Sequence, residues 1–359
     1  MGSRNIKSLF TAFLSLVIVF FSHAGYAQEK VPEGTTPTFD PGKEIMSHIA
    51  DAYEFHFFTA GNFHATIHLP VILYSPQKGF SMFSSSRFGE EGEESYDGYK
   101  LENKNIVATD PGVEVYDFSL TKNVVQMLIA LTILVTLMVG IAKKYKKGEG
   151  ITSAPSGWQN AIEPIITFIR DDVAKVNLGR RYERYMPYLL TIFFFILINS
   201  IFGLIPASAN VSGNIAFTAV LGVISFFVIM LSSNKHYWGH IFWPPVPHGV
   251  KVILIPVEII GIFTKPFALI IRLFANMVAG HIIILSFISL IFIFGGMSKA
   301  IGWGFSPVSI LFTVFIYFIE ILVAFIQAFI FTNLTAVFIG QAFEGGDHDV
   351  DHHEDNLLL

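Results

Sequence analysis

The sequence predicts an all-α integral membrane protein with about five membrane helices, two of them long and tilted, and three observations predict it. Of 359 residues, 52% are hydrophobic and only 14% are charged, with 37 Phe and a mean hydropathy of +0.56, too apolar for a water-soluble domain. Apolar runs long enough to cross a bilayer recur from Val124 onward. The last two runs are each about twice the ~20 residues that an upright crossing needs. A net charge of -5 leaves no basic surface for nucleic acid. With no Cys, the chain can form neither disulfides nor Cys-bound metal sites.

Residues 1-27 place Arg4 and Lys7 before an apolar core from Leu9 to Phe21, then Gly25, Tyr26 and Ala27. This reads as a cleaved signal peptide, with an uncleaved anchor as the alternative; either way the following segment is exported. Residues 28-120 form that exported extension, with Glu90, Glu91, Glu93, Glu94 and Asp97 in a Gly/Ser-rich loop. Helical spacing runs from Lys43 to Phe57, and His64 to Tyr74 suggests a strand or two. His48, His56, His64 and His68 match no metal-ligand spacing and read as solvated side chains.

Residues 121-185 hold the first membrane helix, Val124 to Ala142, and then Lys143, Lys144, Lys146 and Lys147, a basic cluster that marks the cytoplasmic side. After it, Trp158, Ile162, Ile165, Ile166 and Ile169 recur at steps of three and four beside Arg170, Lys175, Arg180, Arg181 and Arg184. That pattern describes an interfacial amphipathic helix, the alternative being an ordinary cytoplasmic loop. Residues 186-233 make a membrane hairpin from Pro187 to Pro206 and Asn214 to Ser232; its connection lacks Lys and Arg and so belongs outside. Asn199 and Ser200 on the first arm suit hydrogen bonding to a neighbouring helix.

Residues 251-343 carry the two long runs, Val252 to Phe294 and Pro307 to Phe343, with a loop expected around Met297 to Gly304. Each run is either two spans or one steeply tilted helix. The lack of turn residues inside either run favours tilt, and Pro266 allows a kink. Residues 344-359 are a polar His/Asp-rich tail, expected to be solvated and cytoplasmic.

The first long run contains Glu258, Lys265, Arg272 and His281. A charge at the bilayer centre costs at least ~2.5–3.5 kcal/mol, so each is a functional-site candidate. Helical steps place Glu258, Lys265, Arg272 and Asn276 on one stripe and His281 on roughly the opposite face. A chain of structural i,i+7 salt bridges competes with a functional role, more seriously for Glu258 and Lys265 than for Arg272 in mid-run. The last run carries one charge, Glu320, with Gln327 seven residues later on the same face. If the two helices are antiparallel with His281 beside Glu320, then Gln327 faces about residue 274, near Arg272 and Asn276. A His and a Glu in contact can hold and release a proton near neutral pH, the alternative being a structural ion pair. Arg272 lacks a free carboxylate to balance it, so a second protein should supply one.

The stretch Lys265-Pro-Phe-Ala-Leu-Ile-Ile-Arg-Leu-Phe-Ala-Asn-Met-Val-Ala-Gly-His281, with Gln327-Ala-Phe-Ile-Phe331, resembles subunit a of F-type ATP synthases over roughly residues 110-343. The resemblance implies a non-catalytic, proton-conducting stator subunit, with two offset half-channels leading to the carboxylates of a rotating c-subunit ring. By the same resemblance Arg272 matches the stator arginine, Asn276 and Gln327 its polar neighbours, and Glu258 an acid of the cytoplasmic half-channel. The implied partners are the c-ring, peripheral stalk b subunits, the soluble ATPase sector and membrane lipid, in a bacterial inner membrane. No cofactor is implied. One common form of the family has an acid at the position of His281 and an imidazole at that of Glu320; here the two are exchanged. The competing readings are a secondary transporter, for which the chain shows no repeated halves, and a structural anchor, against which the cost of Arg272 argues.

Overall fold

The computed structural model describes residues 42, 50–60, 63–89, 94–102, 104–110, 112–150, 154–155, 157–205, 208–244 and 246–343. The expected signal peptide, Lys43 to Ile49, Glu90, Glu91 and Glu93 of the acidic loop, and the tail from Glu344 lie outside these residues.

Among the described residues before Lys122 there are seven strands: β1 (Glu54–Ala60), β2 (Phe63–His68), β3 (Pro70–Ser75), β4 (Gly79–Ser84), β5 (Tyr99–Glu102), β6 (Asn105–Ala108) and β7 (Tyr116–Asp117). The strand or two expected over His64 to Tyr74 are β2 and β3, whereas Glu54 to Phe57, expected to be helical, belong to a strand. Aromatic residues favour the pleated conformation there, and pairing with β2 outweighs the short run of helical spacing. β1 and β2 form a hairpin, β5 and β6 another, and β4, β3 and β7 an antiparallel sheet in that order. Along β3 the two-residue period buries Val71 and Leu73 and turns Ile72 and Tyr74 outward. Val71 and Leu73 share a small core with Tyr53, Phe88, Tyr99 and Ile106. Two of the expected solvated histidines have partners in the β1–β2 hairpin: His56 Nδ1 meets Thr66 Oγ1 at 2.9 Å and His68 Nδ1 meets Glu54 Oε2 at 3.3 Å.

The strands join the helices without slack. Leu120 N donates to Pro70 O at 3.3 Å and Lys122 N to Ala52 O at 2.9 Å, and Asn123 N donates to Asp51 Oδ1 at 3.2 Å. Here α1 (Lys122–Lys146) begins. After it, α2 (Trp158–Phe168) passes through a π-helical stretch, Ile169–Lys175, and short turns into α3 (Tyr182–Gly203). Then come α4 (Ile215–Ser232), the short α5 (Lys235–Phe242), α6 (His248–Met297) and α7 (Lys299–Phe343). Among the described residues, α1, the α2–α3 unit, α4, α6 and α7 are the five helices long and apolar enough to cross a membrane.

The amphipathic segment is packed into the helix core. Ile169, Val173, Ala174 and Leu178 are fully or almost fully buried in the core that includes Phe331, Ala336 and Ile339 of α7. Asn177 Nδ2 donates to Asn333 Oδ1 at 3.0 Å, and Asn177 O approaches Gly340 so closely that a Cβ there would collide with it. On the other side, Gln126 of α1 clamps the α3–α4 connection, with Nε2 donating to Ala209 O at 2.5 Å and Oε1 accepting from Ala209 N at 2.7 Å.

α6 and α7 are each one unbroken helix, of 50 and 45 residues. At ~1.5 Å per residue they measure about 75 and 68 Å, over twice the hydrocarbon thickness, so they must tilt to stay within it. The loop expected around Met297 to Gly304 reduces to the extended residue Ser298. The cost of a helical Gly is only ~1 kcal/mol, and the packing of Phe294 on Phe305, ring centroids 4.6 Å apart, holds the corner closed instead.

Candidate functional site

α6 and α7 pack antiparallel along their length, the arrangement on which the expected register depended. Phe287 stacks on Phe312 at 5.5 Å, Glu320 rests against Gly280, and Lys265 Nζ donates to Gln341 Oε1 at 3.0 Å. Glu320 is thereby brought to Gly280, the residue before His281.

Glu320 is 7% exposed, and its Oε1 occupies the space in which a Cβ of residue 280 would stand, so only Gly admits the acid. Oε2 has no hydrogen-bond partner among the described residues. His281, the next residue, is half-buried with its Nδ1 enclosed. The acid of α7 thus stands against the residue of α6 that precedes His281.

Arg272 lies midway along α6. Leu269, Leu273 and Met277 form the buried stripe of this part of the helix, whereas Arg272 and Asn276 are off the stripe and exposed. No ion pair or hydrogen bond holds the guanidinium among the described residues. Gln327 is 6% exposed on α7, and among the described residues no hydrogen bond joins it to Arg272 or Asn276. The structure therefore brings Glu320 to Gly280 and leaves Arg272 exposed.

Glu258 and Lys265 do not form an i,i+7 bridge among the described residues. Two helical turns separate them by ~10.5 Å, and Lys265 instead reaches across to Gln341 and lies over the Phe338 ring, 5.0 Å from its centroid. Glu258 is half-buried and close enough to Tyr237 of α5 to matter. The Tyr237 phenol is raised above its ordinary pKa first by burial and then by the Glu258 charge. Gly280, Gln341, Phe338 and Tyr237 were absent from the sequence-derived site. Of these Gln341 had a signal, since it follows Gln327 by fourteen residues on the same helical face.

A family model described as ATP synthase A chain matches residues 124–340, more than half of the chain. The chain belongs to the ATP synthase A chain family. It is 48% identical over 249 residues to ATP synthase subunit a of Chloroherpeton thalassium, covering 68% of this chain and 73% of that protein. Over 318 residues it is 41% identical to ATP synthase subunit a 2 of Chlorobium luteolum, covering 87% and 79%. With ATP synthase subunit a of an Anaeromyxobacter species the identity is 39% over 249 residues, 66% of this chain and 57% of that protein. Membership in the ATP synthase A chain family makes this a multi-pass membrane protein with a part in proton translocation by a rotary ATP synthase. The described strands all precede residue 124 and lie outside that match. Residues 44–126 match a separate model described as a domain of unknown function (DUF8433).

Proposed function

We propose that the chain is the stator wall of the proton path in an ATP synthase, with Arg272 facing the carboxylates of a c-subunit ring. The observation that carries this reading is the exposed Arg272 guanidinium, midway along a 50-residue apolar helix and without a counter-ion among the described residues. A cation so placed is tolerable when a neighbouring subunit brings the anion. Arg272 keeps the facing rotor acid ionised and denies protons a direct crossing. Asn276 and Gln327 are its polar neighbours. Glu258 serves a half-channel opening toward the cytoplasm, and Glu320 with His281 serves a second one opening outside. The chain itself is non-catalytic; peripheral stalk b subunits and the soluble ATPase sector complete the machine.

The proposed orientation puts the extension outside a bacterial inner membrane, after a signal peptide at residues 1-27, and the tail in the cytoplasm. Lys143, Lys144 and Lys146 in the last turn of α1 support it. A tag near Glu94 should be reached only from outside, and one after Lys147 or at Leu359 only from the cytoplasm; a cytoplasmic Glu94 reverses every helix. For the site, Arg272→Ala should abolish ATP-driven proton pumping in inverted vesicles while ATP hydrolysis persists. Retained pumping would remove Arg272 from the proposed role.

A further inference from the structure

The β4–β3–β7 sheet has one face on the small core and one face bare. On the bare face the register sets Phe80, Tyr74 and Tyr116 in one row, since Tyr74 opposes both Phe80 and Tyr116. A second row is Met82, Ile72 and Phe118: Ile72 opposes Met82, and Phe118 N donates to Ile72 O at 2.9 Å. Phe80, Met82 and Phe118 are 67%, 65% and 66% exposed, Tyr74 and Tyr116 about half. Neither row contains a charge.

An antiparallel sheet normally turns polar residues to water on its free face. With ~150–250 Å² per aromatic side chain, the five most exposed residues bare on the order of 500 Å², at the upper end of what soluble monomers tolerate. Something must cover the patch.

The path of the chain says what. Phe118 is only four residues from Lys122, where the membrane helix α1 begins. The intervening segment is strapped to β3 by Ile72 N donating to Ser119 Oγ at 3.0 Å and Leu120 N to Pro70 O at 3.3 Å. At ~3.3 Å per extended residue, Phe118 is within about 13 Å of the helix start. α1 itself, at ~1.5 Å for each of its residues, is about 37 Å long, so it spans the ~30 Å hydrocarbon and reaches into a headgroup layer. Aromatic side chains held rigidly at that level are what membrane interfaces select, with Tyr hydroxyls wet and rings in the acyl boundary.

We infer that Ile72, Tyr74, Phe80, Met82, Tyr116 and Phe118 form a lipid-docking face by which the DUF8433 domain rests on the membrane beside α1. The domain would brace the first helix against the bilayer, independently of the role of Arg272.

The absence of Cys allows a direct test. Phe80→Cys and Phe118→Cys would be spin-labelled in the assembled ATP synthase in phospholipid vesicles, with Glu102→Cys as a water-facing control and the Cys-free parent as background. At positions 80 and 118, relaxation by lipid-dissolved oxygen should exceed that by a water-soluble nickel complex several-fold, with the reverse at 102. Nickel access equal to the control would overturn the proposal by showing a wetted face. Protection from both agents would also overturn it, by showing that a protein covers the sheet. If Phe118→Cys fails to assemble, Met82→Cys reports on the same row.

Discussion

α6 and the β4–β3–β7 sheet break opposite rules. α6 exposes a guanidinium among apolar side chains, and the sheet exposes aromatic rings in a domain whose other surfaces carry Lys and Glu. In each case the incongruous group is far more costly in the surroundings its neighbours suit than in contact with a matching partner. Glu320 and Lys265 make the contrast plain. Both are charged residues in the same helix pair, but each meets part of its own chain, Glu320 on Gly280 and Lys265 on Gln341. Arg272 has no such contact among the described residues, and under the proposed function its complement belongs to another molecule.

The largest effect is expected at Arg272, and it would break the contrast if absent. Even Arg272→Lys should lose most ATP-driven pumping, because an ammonium lacks the planar fork and sheds its proton more readily when desolvated. Near-normal pumping with Lys would mean that any local positive charge suffices.

Next is the enclosed side. Gly280→Ala places a methyl on Glu320 Oε1, an overpacking that costs ~1–3 kcal/mol or pushes the carboxylate away. Pumping should drop severalfold, and Glu320→Asp in the same chain, shorter by one methylene, should recover part of it. No recovery would show that the close approach is not what limits transport.

A smaller effect sharpens the acid–imidazole pair. His281→Glu and Glu320→His should each slow proton uptake, and the double exchange should restore much of the flux if the two groups share one proton. Strictly additive losses in that double-mutant cycle would separate the two residues functionally.

The smallest effect is in the extension. Tyr53 donates to Asp117 Oδ2 at 2.5 Å, and burial followed by that contact raises its phenol well above the ordinary value near 10. A raised folded pKa favours the protonated form, so its contribution is complete below about pH 10 and is lost as pH rises beyond. Resistance of the extension to proteolysis should fall between pH 9 and 11 (roughly one unit on either side of the free phenol). Tyr53→Phe should be weaker at pH 8 and flatter across that window. An unchanged slope would remove Tyr53 from the alkaline transition.

What the sequence by itself determined was whatever repeats along one helix or within one motif. The five spans, the stripe from Glu258 to Asn276 and the family all follow from local period and from the Arg272 motif, because a bilayer forces each helix to satisfy its own backbone. What only the tertiary structure decided lies across interfaces. Lys265 pairs with Gln341 rather than Glu258, the amphipathic segment is buried against α7 at Asn333 and Gly340, and Gly280 makes room for Glu320. The sheet was the least legible element, since β7 is two residues long and pairs with β3 from more than forty residues away. A partner so distant in sequence leaves no local period, and the bare aromatic face exists only once that pairing has set which way each side chain points.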